Sequence, residues 1–261
     1  MILASRRREE LERVKRDLQT LKAPNNSLGV RFHEPKVAIL DLGTEDTDQL
    51  EKTAEDMVRL HGHIDVLINN AGISSRAAAM STAVAVDRQL ILVNYLNQIA
   101  LTKVVLRSLV QKQSVVGSQR GHIVCISSVQ GRMAIPGRSS YSASKHAVQA
   151  YYDSLRAELS TLAEDATHRL VDVTVVSPGY IRTNLSLNAL TGQGDKHAKM
   201  DASTASGLEP SFVAERVLEA VLNREADLVM SPLLPKVLII VRAVCPPLYF
   251  LAMKVYAKRQ H

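Results

Sequence analysis

The chain has 261 residues, 46% hydrophobic and 22% charged, with a formal net charge of +6. That balance fits one α/β domain, or at most two small ones, with apolar material for one sizeable core. Aromatic residues make up only 4% and tryptophan is absent, which argues against a nucleic-acid surface built from stacked rings.

In chain order, residues 1–4 read as the end of a strand. Residues 7–21 place Leu11, Val14, Leu18 and Leu21 at helical spacing. A loop over 23–35 leads into a strand at 36–41. A helix over 46–61 follows, with acidic residues in its first turn, where the helix dipole favours them. Next come a strand at 64–69, a mostly helical stretch over 86–113, a strand at 122–127 and a long helix over 139–162. A strand at 171–176 ends in Ser177-Pro178-Gly179. Residues 184–209 are polar with little periodicity, the pattern of a mobile loop. Ser211 is placed to N-cap a helix running to Leu222. Residues 227–230 form a short strand, and 232–261 an apolar tail.

Val37-Ala38-Ile39-Leu40 and Val66-Leu67-Ile68 are apolar without alternation, as in strands buried on both faces. Strands alternating with helices then predict a single domain over 1–261 of α/β class. Its expected core is a doubly wound, Rossmann-like parallel sheet with helices on both faces. Ligands of such sheets bind beyond the carboxyl ends of the strands, and Asp41, Asn69 to Gly72, Ser127-Ser128 and Pro178-Gly179 fall there.

The positive charge has two readings: attraction to nucleic acid, anionic lipid or a phosphorylated ligand, or a solvated basic surface. It is spread along the chain, with clusters at Arg6-Arg7-Arg8 and over 254–259, and a nucleic-acid partner has no other support. The two cysteines, Cys125 and Cys245, give neither a metal-ligand pattern nor a disulfide framework, so no metal is expected. They suit a reducing compartment or a cytosol-facing surface. Arginines follow Met1 to Ser5 at once, so this stretch does not read as a signal peptide. The most apolar stretch, over 233–253, is interrupted by Arg242 and Pro246-Pro247.

Chemistry concentrates at Tyr141 and Lys145, four residues apart and so on one helix face. A phenol ordinarily titrates at about pH 10. An ammonium beside it favours the phenolate, and such a pair can pass a proton to or from a hydroxyl or carbonyl oxygen. Alone the pair is a weak sign. It is joined by Ser128 at the end of a buried strand, and by Asn69-Asn70-Ala71-Gly72, whose small residues let backbone approach a ligand. Pro178-Gly179-Tyr180-Ile181-Arg182-Thr183 follows another buried strand.

With Asn94, these pieces resemble, in order and spacing, the classical short-chain dehydrogenase/reductase family over nearly the whole chain. The resemblance implies that Tyr141 is the general acid/base and that Lys145 favours its phenolate and holds the nicotinamide ribose. Ser128 would orient the substrate carbonyl or alcohol, and Asn94 would support a proton-relay water. A polar residue bending a helix interior is the other reading of Asn94. Asp41 and Leu42 would contact the adenine, and Asn69, Ala71 and Gly72 would line the adenosine side. Pro178 and Gly179, the backbone near Ile181 and the Thr183 hydroxyl would bind the nicotinamide. Arg6 stands where the family reads the adenosine 2′ position, and arginine there implies NADP(H) rather than NAD(H). Arg7 is an alternate contact, and a solvated helix start is the other reading of Arg6.

Two departures stand out. The family opens with a strand and a Thr-Gly-x-x-x-Gly-x-Gly turn that cradles the pyrophosphate at a helix N-terminus. This chain opens instead on what resembles the second strand, Met1-Ile2-Leu3-Ala4-Ser5-Arg6. The expectation is an N-terminally truncated chain whose sheet lacks the first, central strand and the glycine-rich turn, and which alone binds dinucleotide poorly. Asn97 stands where relatives often carry glycine, and its side chain could crowd a helix contact.

A narrower likeness rests on the runs 128–136, 138–147 and 177–186 and on Leu233-Leu234-Pro235. These resemble the dehydrogenase/reductase family member seven group, its B branch in particular. That likeness implies a lipid-like or steroid-like carbonyl substrate, including acyl- or alkyl-dihydroxyacetone phosphate. It also implies membrane association at the endoplasmic reticulum or peroxisome, or the cytosol if truncation removes an anchor. A homodimer or homotetramer through helices 88–113 and 139–162 would follow from the wider family. The tail reads either as a basic amphipathic membrane contact or as a helix over the substrate pocket. The functional expectation is an NADP(H)-dependent oxidoreductase interconverting a carbonyl and an alcohol. The alternative is a catalytically impaired homologue acting as a binding or regulatory partner.

Overall fold

A computed structural model of the chain describes residues 1–20, 33–113, 120–161 and 171–258. Its order is β1 (Ile2–Ser5), α1 (Arg8–Thr20), β2 (Lys36–Ile39), α2 (Thr47–Arg59), β3 (Val66–Asn69), α3 (Val84–Ile91) and α4 (Asn97–Gln113). Then follow β4 (Gly121–Ile126), α5 (Ser139–Thr161), β5 (Val171–Pro178), α6 (Ala202–Ala205), α7 (Pro210–Leu222), β6 (Asp227–Met230), α8 (Leu233–Val244) and α9 (Pro246–Lys258). Residues 21–32 and Leu162, expected to hold a loop and two helix ends, lie outside the described residues.

Every named strand pair is parallel, as βα alternation requires. The sheet, however, comes in two parts: β1 pairs with β2, and β3-β4-β5-β6 form a four-stranded sheet. A cavity of about 1250 Å³ lies between them, lined by Ile2, Ala4 and Ser5 of β1 and Val66, Leu67 and Ile68 of β3. Val66 and Ile68 therefore stay 42% and 43% exposed. The apolar run of β3 predicts burial on both faces, and the face carrying Val66 and Ile68 does not reach it because it opens on the cavity. β4 and β5 do: Ile123, Cys125, Val173 and Val175 pack with α2, α4 and α5, while Val124 and Val176 pack with α7 and β6.

Local chemistry sets the helix ends. The Asp46 carboxylate accepts from Gln49 N at 2.9 Å and caps α2. α7 starts one residue before the expected Ser211 cap: Glu209 is the N-cap and Pro210 takes the first turn, because its fixed φ suits that position and its missing N–H costs nothing there. The helix expected over 86–113 is broken into α3 and α4 by a π turn at Leu92–Leu96.

The stretch 184–209 is not loose. Leu190 bridges to Ser75, and Leu208 to Ile181. Asp201 takes ion pairs from Arg76 at 2.7 Å and Arg138 at 3.2 Å, with His197 at 3.5 Å. Its polar residues serve as ties to the body, which periodicity does not register. The tail folds as a helical hairpin, α8 and α9, hinged at Cys245.

Candidate active site

β4 carries the chain to Ser127 and Ser128, and α5 begins eleven residues after Ser128. The Ser140 hydroxyl donates to the Asp87 carboxylate, tying the start of α5 to α3. Tyr141 and Lys145 then lie one turn apart and are almost fully buried, 7% and 4% exposed, with Nζ 6.0 Å from the ring centroid. The Lys145 ammonium donates to Ile126 O at 2.8 Å, and the Ser127 hydroxyl donates to Lys145 O at 3.3 Å. The Ser128 hydroxyl accepts from Gln130 N at 3.1 Å. A side chain on Gly131 would come within 2.7 Å of both Lys145 O and Ser127 Oγ, so glycine is what lets this loop close onto α5.

Asn94 is fully buried within the π turn, a distortion that aims one side chain out of helical register. Its carbonyl oxygen accepts from Ile73 N at 2.8 Å, and its amide donates to Ile73 O and Ser144 Oγ, each at 2.9 Å. A Cβ on Gly72 would lie 3.4 Å from Asn94 Oδ1 and 3.5 Å from Lys145 Nζ. Gly72, Asn94 and Lys145 therefore meet at one point, beside Tyr141.

Arg6 and Asp41 face each other at the ends of β1 and β2, 3.7 Å apart and exposed. They line the mouth of the cavity with Leu42, Asn69, Ala71 and Gly72. The Asn69 amide, though, turns into the core and donates to Thr102 Oγ1 at 2.8 Å and Tyr152 Oη at 2.9 Å. Pro178 and Gly179 close β5, with Gly179 N donating to Met230 O at 2.8 Å. Ile181 pairs with Leu208. Exposed Thr183 accepts from Leu185 N at 3.4 Å. Pro178, Gly179, Ile181 and Thr183 border the 184–209 segment and stand outside the cavity wall. Of the candidate residues, Gly72 joins the cavity to the Tyr141–Lys145 pair.

Sequence reasoning missed a second set. Asn97, fully buried, does not crowd its neighbour: its amide donates to Leu42 O at 2.9 Å and Thr44 O at 2.7 Å. Gln98 donates to Ala71 O at 2.7 Å. Asn97, Gln98 and Thr102, set among Ile99, Ala100, Leu101, Val104 and Val105, were the available signal, since buried polar groups need partners. Burial pushes the Asp201 carboxyl up, but hydrogen bonding to Arg76 and the charges of Arg76 and Arg138 outweigh it and hold the group below the usual carboxylate range. Burial pushes the Cys125 thiol up to about 12, which leaves it a core residue and no nucleophile.

A model of the short chain dehydrogenase family matches residues 2–193. The "Dehydrogenase/reductase SDR family protein 7-like" of Anopheles gambiae is 45% identical over 259 residues, 99% of this chain and 75% of that one. The "Dehydrogenase/reductase SDR family member 7B" of Xenopus laevis is 42% identical over 260 residues, all of this chain and 75% of its own length. Among solved structures, a short chain dehydrogenase/reductase from Burkholderia phymatum in complex with NAD superposes with a TM-score of 0.74 at 20% identity, covering 95% of this chain and 85% of that one. A short-chain dehydrogenase from Streptomyces avermitilis gives 0.72 at 22%, covering 99% and 87%. The chain belongs to the short-chain dehydrogenase/reductase family, NAD(P)-dependent oxidoreductases that interconvert CH–OH and C=O.

Proposed function

We propose that this protein is an NADP(H)-dependent reductase or dehydrogenase of a lipid-like or steroid-like carbonyl or alcohol, with Tyr141, Lys145, Ser128 and Asn94 as its proton-handling residues. The observation that carries the reading is the meeting of Gly72, Asn94 and Lys145 beside Tyr141. There, a ligand lying along the cavity mouth reaches the buried acid/base pair. The residues present suit a dinucleotide at its ends. Arg6 and Asp41 flank the mouth, and Gly72 leaves room for a group beside Lys145. Arg6 favours a 2′-phosphate, hence NADP(H). Solved neighbours hold both kinds of cofactor, NAD in the Burkholderia phymatum protein and 5-hydroxy-NADP in an alcohol dehydrogenase from Thermococcus sibiricus.

When bound, the nicotinamide supplies or accepts the hydride. Tyr141 gives its phenolic proton to the carbonyl oxygen, or takes one from the alcohol. The Ser128 hydroxyl donates to the same oxygen and fixes its position. Lys145, tied to Ile126 O, holds its positive charge beside the phenol. Asn94, through its bonds to both polar groups of Ile73, keeps the Ala71–Gly72 turn against Lys145. The likeness to the member 7B group motivates an apolar substrate body and a membrane-associated setting at the endoplasmic reticulum or peroxisome. A homodimer or homotetramer through α4 and α5 belongs to the same proposal.

A panel of long-chain and steroid ketones with NADPH or NADH, followed at the nicotinamide absorbance, tests the reading. Faster turnover with NADPH, abolished by Tyr141→Phe, supports it. Full cofactor binding with no turnover of any carbonyl on the panel counts against it. A second reading has its own support: the sheet is split between β1 and β3, and no glycine-rich turn stands at a described helix N-terminus to hold the pyrophosphate. In that reading the chain is a catalytically impaired homologue that serves as a binding or regulatory partner. NADPH titration separates the two. Micromolar binding favours the enzyme, and no binding up to millimolar favours the partner.

A further inference from the structure

The hairpin α8–α9 has two unlike faces. Inward, Leu238, Ile239, Val241, Tyr249 and Met253 pack on Val129, Met133 and Ile135, and the Tyr249 hydroxyl donates to Ala134 O. The face is thus pinned to the loop that follows Ser128. Outward, α8 shows Leu233, Val237, Ile240 and Val244 at spacings of four, three and four, and α9 shows Leu248, Leu251 and Val255 at three and four. At 100° per residue each of these is a stripe on the helix side away from the packed residues. Exposure reaches 76% at Leu233 and 79% at Val244. Single exposed apolar residues are ordinary, but two aligned stripes on adjacent helices make a patch that marks a docking surface.

Charge decides what docks. From Ser231 to His261 the sequence has no Asp or Glu, and it carries Lys236, Arg242, Lys254, Lys258 and Arg259. The first four are exposed. Lys236, Lys254 and Lys258 fall on the flanks of the two stripes, where long side chains can lie along apolar surface and lift their ammonium groups to an anionic layer. Arg242 sits over the rings of Tyr249 and Phe250, 5.8 and 5.3 Å from their centroids. An apolar stripe with a purely basic rim is complementary to an anionic lipid surface. It offers a second copy of itself only like charge. With 12 and 13 residues, each helix is too short to span a bilayer, which takes about 20, but can lie in its interface. Val84–Gln111 is long and apolar enough to cross a membrane, yet most of it is buried in the core.

We infer that α8 and α9 form an interfacial anchor that seats the protein on anionic membranes, outer stripes in the headgroup layer. The inner face, on the loop after Ser128, then holds the active-site side of the domain against the bilayer. This surface lies outside the catalytic residues and stands whether or not the proposed reaction does.

Co-sedimentation of the full chain with phosphatidylcholine vesicles, with and without 30% phosphatidylserine, tests it. Expected is binding to the anionic vesicles, weakened several-fold on the neutral ones and by 0.5 M NaCl. The double variant Leu248→Glu/Leu251→Glu should lose at least tenfold in binding with an unchanged melting temperature, and Lys254→Glu/Lys258→Glu should lose several-fold on anionic vesicles alone. Absence of binding to either vesicle, or equal binding by the Leu248/Leu251 variant, overturns the inference. So does light scattering that shows a dimer in the wild type and a monomer in that variant, because the stripes would then be covered by a second copy.

Discussion

The Lys145 ammonium donates a 2.8 Å hydrogen bond to the Ile126 carbonyl, so the helix that carries Tyr141 is tied to the strand that delivers Ser128. With the Ser127 hydroxyl on Lys145 O, this bond sets the spacing of both hydroxyls. It is also partly buried, and a carbonyl left without its charged donor there loses more than a surface bond would. Tyr141→Phe removes only the proposed proton donor: turnover should fall by about 10²–10⁴-fold with little change in melting temperature. Lys145→Met should cost turnover and also about 1–3 kcal/mol of stability. Initial rates together with urea unfolding distinguish the two, and a stable, fully active Lys145→Met would refute the tie.

Asn97 ties the turn after β2 to α4 through Leu42 O and Thr44 O. Asn97→Ala leaves both carbonyls short of a donor and should destabilise the chain by about 1–3 kcal/mol. Since Leu42 and Gly43 line the cavity mouth, nucleotide affinity should weaken as well. Urea unfolding and fluorescence titration with NADPH check the two effects.

Asp201 gathers Arg76, Arg138 and His197. Asp201→Ala leaves two largely buried guanidinium groups facing each other, and the stretch 184–209 should open. We expect faster cleavage by trypsin within that stretch and a stability loss of about 2 kcal/mol. Asp201→Asn should restore part of the loss, because the amide oxygen still accepts. Proteolysis unchanged in the alanine variant would rule out the clamp.

His122 on β4 places Nε2 2.7 Å from Thr174 Oγ1. Burial pushes its imidazole below the ordinary 6.5, opposed by Asp172 and helped by Arg224. The unfolded chain therefore binds more protons than the native one between the two values, and stability rises with pH across that window. The contribution is complete above the unfolded value of about 6.5 and is lost as pH falls from there toward the depressed native value. Melting temperature should drop between pH 7.5 and 5.5, and His122→Gln should flatten the drop. An equal drop in the variant would show that other groups cause it.

Periodicity by itself located most of the strands and long helices, because the alternation of short apolar runs with 3.6-residue patterns is written residue by residue. β6 is found over the expected 227–230, and the spacing of Tyr141 and Lys145 made them neighbours on one helix face before any contact was known. Misses came where partners distant in sequence decide. Nothing local in Leu92 to Leu96 announces a π turn, and nothing in the polar run 184–209 says that Asp201 will meet two arginines more than 60 residues away. Asn97 looked like an obstruction and became a donor once the turn at Leu42 lay against it.

Sequence alone thus determined the α/β class, the family likeness and which residues are candidates for acid/base work, all properties of short windows or of their order. The tertiary structure decided three things. The sheet divides between β1 and β3, the cavity meets Asn94 and Lys145 at Gly72, and the tail turns one apolar face inward and leaves the other bare. Each depends on which surfaces lie opposite one another after folding, and burial is a property of such pairs of surfaces that a single segment does not encode.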